Sequence, residues 1–477
     1  MKLEKKEVPE PINLKNFFLG PTLILFGLGL GAGELLLWPQ IAGTYGFAFV
    51  WMCFFSLLVQ TLWTLQMVKI TLVTGEHFVL YMARIFGLIN SILIFTILTF
   101  LAAGIPSWAV SSAESLVKIY NFSFDYKTAL FIWSIITYFL VFMSIAFSNV
   151  ISKVLETFFK FITIITWAFL IFLIVELKLY NNIFEAFVSA FTNFGNFRFD
   201  LVDISMWTLA SAVAFVGAGG IFNVWYTYWV RDFGWGMAKY VGSIKGLLKK
   251  QEKIRVDPIF PKEDEENLKR LNVWVRNVNI GFFSVYFGLN FLTLLVFISL
   301  GYLMFGSNVE PSQIPYKISE YIGKNLGEVF GFAYLLLLAL QLFSTQYSIT
   351  EGLVRQISDS IYIYLQKRKK KDVEINKIYF KILLFFLFYS LVWIYLTKVS
   401  EFLNPDFLVK LSANIALIFQ IISIPLVLYF NTVIARKFLS YKVYKIIQPS
   451  VLTIVILMLG FFFYLYLSVQ AWQELFA

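Results

Sequence analysis

The chain has little of what soluble and metal-holding proteins are built from. It has one cysteine, Cys53, and one histidine, His77. These exclude an intrachain disulfide, a cysteine-rich zinc site, an iron–sulfur cluster and a His-based metal cluster or haem pair within one chain. Charged residues make up 14% of the 477 positions, where a soluble domain carries roughly 25%. Apolar residues take their place, with 59% hydrophobic and 19% aromatic. So few charges cannot cover a water-facing surface, and the two or three soluble domains that the length alone suggests are excluded. The apolar residues come in unbroken runs of about 20 and not in alternating ten-residue segments, which excludes a membrane β-barrel. The segment Met1 to Pro11 is charged and lacks an apolar core. It does not resemble a cleavable signal peptide, so the first apolar run is expected to remain as a span.

The runs predict an all-α polytopic membrane protein of about eleven helices. They fall near 17–42, 45–72, 88–113, 128–148, 154–177, 204–230, 274–305, 326–353, 376–397, 406–431 and 447–470. Alternate connections, counted from the N-terminal tail, carry about 28 Lys and Arg against about 8 on the other set. This positive-inside bias predicts a cytoplasmic N-terminus, an external C-terminus and residence in the cell membrane. It also accounts for the net charge of +10 without a nucleic-acid partner. The densest basic cluster, Lys367-Arg368-Lys369-Lys370-Lys371, is a topology anchor or a docking point for anionic lipid. The connection from Arg231 to Arg270 mixes both signs and is expected to be a surface helix with a hinge.

Two spans carry glycine where a helix tolerates it least. The first contains Gly27-Leu28-Gly29-Leu30-Gly31-Ala32-Gly33-Glu34, and the sixth contains Gly217-Ala218-Gly219-Gly220. Glycine costs about 1 kcal/mol against alanine inside a helix, so such density invites unwinding. Freed backbone groups at membrane depth survive only where they line a cavity or are buried in protein. Breaks five spans apart point to an inverted-repeat secondary transporter with its substrate at the midplane. The expected division is a tail over 1–16, a first repeat over 17–178, an external loop over 179–203 and a second repeat over 204–431. That second repeat includes a cytoplasmic loop over 231–273, and 432–477 holds a peripheral eleventh span. Close helix packing through Gly27/Gly31 and Gly29/Gly33 is the other use of these glycines.

At these residues the chain resembles the Nramp family of divalent-metal transporters, which share the LeuT fold. The frame Gly20-Pro21, Gly31-Ala32-Gly33-Glu34 and Tyr45-Gly46 is similar to the family's Gly-Pro, Asp-Pro-Gly-Asn and Tyr-Gly. Gln60 and Val73-Thr74-Gly75-Glu76 resemble the second span of the family, and Gln341 with Ser344-Thr345 resembles its Gln-Ser-Ser-Thr segment. Gln420 is a counterpart of a substrate-contacting Gln. The resemblance implies a LeuT-like five-plus-five fold with spans 1 and 6 broken, and a metal-ion substrate. The chain departs from the family at the residues that touch metal. Gly31 stands for the metal-binding Asp and Glu34 for Asn. Ile221-Phe222-Asn223-Val224 stands for Met-Pro-His-Asn, and Tyr228 for a proton-linked His.

The polar residues left at membrane depth define the candidate site. A mid-membrane carboxylate costs several kcal/mol unless paired or hydrated, so Glu34 is the leading candidate. It serves either as a ligand for a hard cation, with Asn223 and Gln341 completing an oxygen shell, or as a pin on the freed amides of span 6. Substrate is expected against Gly31, Ala32, Gly33, Glu34, Gly217, Gly219, Gly220, Asn223 and Gln420. Ser344, Thr345 and Ser348 are candidates for a coupling ion, and equally for back-bonding within their own helix. Trp225, Tyr226 and Arg231 are gate candidates, the aromatics alternatively facing lipid. Glu156 with Lys160, and Glu351 with Arg355, are i,i+4 pairs expected to neutralise each other. Asn290 is an interhelical bond or a ligand, and His77 is expected on the cytoplasmic surface, a proton shuttle being the other use of the ring.

Two functions follow. One is a secondary transporter of a divalent cation such as Mg²⁺ or Mn²⁺. The other is a transporter of a small organic solute such as an amino acid, held by the bare amides of the two breaks. A sensor on the same fold lacks an appended soluble domain, and an enzyme lacks a nucleophile–base pair. The expected partners are the bilayer and a small substrate, with a monomeric chain. No resident cofactor is expected, and the ions in view are the transported or coupling divalent metal, Na⁺ or H⁺.

Overall fold

In hydrocarbon a backbone must bond within its own segment, so Leu-, Ile- and Phe-rich runs of this length form helices. A computed structural model describes residues 4–13, 20–119, 125–146, 151–197, 204–244, 251, 253–368 and 373–477. Among the described residues ten helices are long and apolar enough to cross a membrane, and the chain is a multi-pass membrane protein. They are span 1 (Pro21–Tyr45), span 2 (Val50–Thr74), span 3 (Leu88–Ile119), span 4 (Tyr126–Ala146) and span 5 (Glu156–Glu176). After the expected sixth come span 7 (Glu265–Tyr302), span 8 (Glu328–Lys367), span 9 (Ile375–Val399), span 10 (Pro405–Phe438) and span 11 (Val451–Phe476). The expected sixth consists of two helices, Met206–Ala214 and Trp225–Asp232, joined through a 3₁₀ turn at Gly220–Val224. Each is too short to cross alone, which makes the count ten by length and eleven by path.

Span starts carry ordinary caps. Asp264, Asn404 and Ser450 accept the amides of Asn267 (3.0 Å), Phe407 (2.8 Å) and Thr453 (3.2 Å). Span 3 is interrupted at Gly104 to Pro106, where proline removes a donor and clashes with the preceding turn. Spans 1 and 2 are the interior of the bundle, whereas only 33% of the most apolar stretch of span 11 is buried. Large exposed side chains such as Leu93, Ile97, Phe161, Ile164, Phe385, Phe388 and Phe462 lie on spans 3, 5, 9 and 11. Such a belt is a lipid face.

The connections depart from expectation in three places. The mixed-charge run at Lys262–Glu266 is the cap of span 7, whose helix starts at Glu265, so it is not a separate surface helix. The tail is tied down: Lys5–Lys6 pairs in parallel with Phe260–Pro261, Val8 N–H donates to Asn267 Oδ1 at 2.5 Å, and the Trp274 indole donates to the Pro9 carbonyl at 2.8 Å. The expected loop over 179–203 holds a helix, Tyr180–Thr192. Of the basic cluster after span 8, Lys369 to Lys371 lie outside the described residues.

Candidate functional site

Both glycine clusters break their helices. In span 1 the helix Pro21–Gly29 stops at Leu30, whose φ of −71° and ψ of 57° form an inverse γ-turn closed by Gly31 N–H to the Gly29 carbonyl at 2.7 Å. A π-helical turn, Gly33–Leu37, carries Glu34 before the helix resumes at Trp38. In span 6 the helix ends at Ala214, and Gly217 takes a φ of +62° that L side chains avoid. The packing use of glycine is present as well. A Cβ on Gly33 would lie 1.9 Å from the Phe215 carbonyl oxygen, and one on Gly27 would lie 2.0 Å from the Phe159 ring. Close approach and unwinding are one device here.

A broken helix leaves carbonyls and amides without partners, and each must be matched when buried. The carbonyls at the end of the first half of span 6 are taken by side chains. Ala212 accepts from the Trp38 indole (3.0 Å), Val213 from Ser56 (2.8 Å) and Ala214 from the Gln420 amide (3.2 Å). Two of the freed amides are taken too. Gly217 N–H donates to Glu34 Oε1 at 2.8 Å, and Ala218 N–H donates to the Tyr286 hydroxyl at 3.0 Å. Tyr286 in turn donates to Asn223 Oδ1 (2.8 Å), and the Asn223 amide donates to Gln60 Oε1 (2.9 Å). Glu34, Asn223, Gln60 and Gln420 therefore meet around the span 6 break.

Acceptors are left over here. Glu34 Oε2 and the side-chain oxygens of Asn290 and Gln420 are buried without a hydrogen bond. Asn290 donates its amide to Tyr286 O at 2.6 Å, and its oxygen would lie 3.0 Å from a Cβ on Gly29, beside Gly217. Glu34 is thus the pin considered above through one oxygen and leaves the other free. Gln341 points elsewhere, with its amide on Thr166 of span 5. Among the described residues no three of His, Cys, Asp and Glu are grouped to hold a metal.

Ser344, Thr345 and Ser348 donate back along span 8 to Gln341 O (2.7 and 3.0 Å) and Ser344 O (3.1 Å). Thr345 also lies 3.4 Å from the Leu30 carbonyl, at the span 1 turn. Trp225 and Tyr226 are fully buried, so neither faces lipid. The Trp225 indole donates to Gln356 (2.9 Å), and Tyr226 pairs with the Thr22 hydroxyl (2.9 Å). Trp108, Phe215, Phe222 and Trp225 form a chain of ring contacts with centroids 5.1–5.6 Å apart along Trp108–Phe215, Trp108–Phe222 and Phe222–Trp225.

Below this lies a buried ion network on the N-terminal face. Arg231 pairs with Asp359, and Arg355 pairs with Asp232 and with Glu351 (2.9 Å), which accepts from the Trp229 indole at 2.9 Å. The expected Glu351–Arg355 pair is present but belongs to this larger set. Asp359 extends the Glu351, Arg355 spacing by another four residues, a periodicity legible only once span 8 is known to continue past 353. The expected Glu156–Lys160 pair is replaced: Glu156 accepts the Gly20 amide at 2.6 Å, at the start of span 1.

His77 corrects another expectation. It is fully buried, stacked on Tyr228 with centroids 4.2 Å apart, and both ring nitrogens lack a partner. Burial, and then the charges of Arg231 and Arg355, hold its pKa well below the usual imidazole value. Burial also raises the neighbouring Glu76 carboxyl, opposed by Arg84 at 2.6 Å. Tyr286 and Ser56 are not legible in the sequence, because a hydroxyl in an apolar span carries no pattern of its own.

No family model matches the sequence, and no curated protein matches it. Solved structures do. The chain overlays a mutant form of an Eremococcus coleocola manganese transporter with a TM-score of 0.60 at 13% identity, covering 98% of this chain and 88% of that one. The same transporter in complex with an aromatic bis-isothiourea substituted compound gives 0.59 at 12% identity, covering 99% and 90%. MhsT in complex with L-phenylalanine gives 0.53 at 13% identity, covering 98% and 99%. The chain has the LeuT fold of these transporters, with spans 1 and 6 broken as the sequence led us to expect.

Proposed function

We propose that this chain is a secondary transporter that carries a hard divalent cation by alternating access, bound between the breaks of spans 1 and 6. The observation that carries the reading is the free Oε2 of Glu34, fully buried beside the Gly217 and Ala218 amides, which already have partners. A buried acceptor without a donor is costly, and a cation or a proton relieves it. Asn290 and Gln420 offer further oxygens, and residues 27–34 and 217–224 contain no Met, Cys or His. Such a donor set suits Mg²⁺ or Mn²⁺ better than soft metals. The fold shared with a manganese transporter supports this choice.

The aromatic chain from Trp108 to Trp225 favours the second reading, an organic solute, as does the fold shared with MhsT bound to L-phenylalanine. A carboxylate substrate needs donors, however, and the amides of Gly217 and Ala218 are already engaged. The divalent cation is therefore preferred. Na⁺ as coupling ion would sit by the Leu30 carbonyl and Thr345, Ser344 and Ser348, whose hydroxyls donate within span 8 and keep lone pairs free. The Arg231 network would close the cytoplasmic side, in a monomer in the cell membrane with its N-terminus inside.

The test is uptake into proteoliposomes of Mg²⁺, Mn²⁺ and a panel of amino acids by the full chain. Metal flux is expected, with at least a tenfold loss in Glu34→Gln, about 1.4 kcal/mol. Amino-acid flux without metal flux would overturn the reading, as would full metal flux in Glu34→Gln.

A further inference from the structure

On the face opposite the N-terminal strap, a cavity of about 350 Å³ opens between spans 1, 3, 4 and 10 and the helix Ile314–Leu326. It lies beside the outer half of span 1. Gln40, on its wall, is six residues beyond Glu34, roughly 9 Å along a helix. Its floor is Glu114, which is 7% exposed and accepts from the Tyr126 hydroxyl (2.9 Å) and the Tyr316 hydroxyl (2.8 Å). Asp406, Glu310 and Glu401 add three carboxylates to the wall. Lys127 is bridged to Glu401, and Lys410 to Asp406 at 2.6 Å. Among the described residues no lysine or arginine bridges Glu114 or Glu310, and the nearby Lys118 donates to Gln313 at 2.9 Å.

Two neutral groups indicate that the cavity is built to receive something. Gln40 is 2% exposed and donates its amide to Asp406 at 3.0 Å, while its oxygen has no hydrogen-bond partner. Ser111 is 0% exposed, and its hydroxyl also lacks a partner. Both line the cavity with Glu114. Buried polar atoms are normally matched, so these mark the place of an occupant. Acceptors and carboxylates dominate the wall, so the occupant is a cation. At about 30 Å³ per water the space holds roughly a dozen waters, enough for an ion that keeps its first shell. The carboxylate of Glu114 is already bonded on both oxygens, which suits contact through that water shell.

We propose that Glu114, Gln40 and Ser111 form an external loading site for a hydrated divalent cation, one stop before the Glu34 site. The proposal rests on the cation reading above. Its test uses the full chain in lipid nanodiscs with Mn²⁺ as probe, free Mn²⁺ being read by electron paramagnetic resonance. Two ions are expected per wild-type chain, one in Glu34→Gln and one in Glu114→Gln. In proteoliposomes Glu114→Gln should raise KM for Mn²⁺ by about fivefold and leave the maximal rate near wild type. Gln40→Leu, which removes the unmatched oxygen and no charge, should raise KM in the same direction and guards against misfolding of the first variant. Wild-type stoichiometry in Glu114→Gln, or wild-type KM in both variants, overturns the loading site. Unchanged flux in Glu34→Gln with one ion lost in Glu114→Gln would sink the transport reading and leave this site standing.

Discussion

Replacing Gly33 with alanine tests whether the contact between the two breaks is held by backbone. The added Cβ would lie 1.9 Å from the Phe215 carbonyl oxygen, where real Cβ contacts begin at 3.0 Å. Both partners are main chain, so no side chain can turn away, and spans 1 and 6 must separate by about 1.1 Å. The same movement would stretch the Glu34–Gly217 bond from 2.8 Å to about 3.9 Å, beyond hydrogen-bond reach. Overpacking costs about 1–3 kcal/mol, and a lost bond to a charged group costs about 1.5–3 kcal/mol. The two together are roughly 3–6 kcal/mol, enough to remove more than 99% of transport if the same geometry holds the substrate. Gly27→Ala is the control, because its added Cβ would lie at nearly the same distance, 2.0 Å, but from the Phe159 ring. A ring can yield where main chain cannot, so Gly27→Ala should lose less activity than Gly33→Ala. The assays are proteoliposome flux and thermal aggregation in detergent for both variants. Equal damage in the two, or wild-type behaviour in Gly33→Ala, would refute the reasoning.

Two further substitutions probe the N-terminal face. Arg355→Met leaves Asp232 and Glu351 buried without their shared cation, and is expected to destabilise by about 3–5 kcal/mol, read as a lower aggregation temperature. His77 is held neutral when folded but takes a proton near pH 6.5 when unfolded. Its effect is absent above pH 6.5, and below that value stability should fall by about 1.4 kcal/mol per pH unit until the folded pKa is reached. His77→Phe should flatten the acid limb of aggregation temperature against pH, and an unaltered limb would show that the ring is not the group responsible.

The network around Arg231 and Arg355 ties two elements together on the N-terminal face. It joins the second half of span 6 to span 8 by opposed charges, all of them buried. Separating such pairs is favourable only if water enters as they part. The strap over Lys5–Lys6 and the Trp274–Pro9 bond lie on the same face, so opening there would have to move or release the tail.

Some of the site was legible in residues. Glycine density marked the two breaks because helix propensity is a local property, and Glu34 stood out because charge is rare at membrane depth. What each polar group does was not legible. Asn290 carries the same amide as Asn223, yet one has a free oxygen and the other is bonded at both ends. Which applies depends on Tyr286, 63 residues from Asn223 in the chain. His77 was misplaced for the same reason. It follows a Gly-Glu turn like a surface residue, and only the return of span 6 with Tyr228 covers it.

The sequence by itself determined the solvent, the number of passes and the places where two helices yield, since each follows from composition or propensity over a short stretch. The tertiary structure decided which freed backbone groups are satisfied and which oxygens remain. Those matches join spans 1, 2, 6, 7 and 10 across long stretches of chain. That surplus of acceptors gives Glu34 its meaning, because a buried oxygen without a donor is a property of its neighbours and not of the residue.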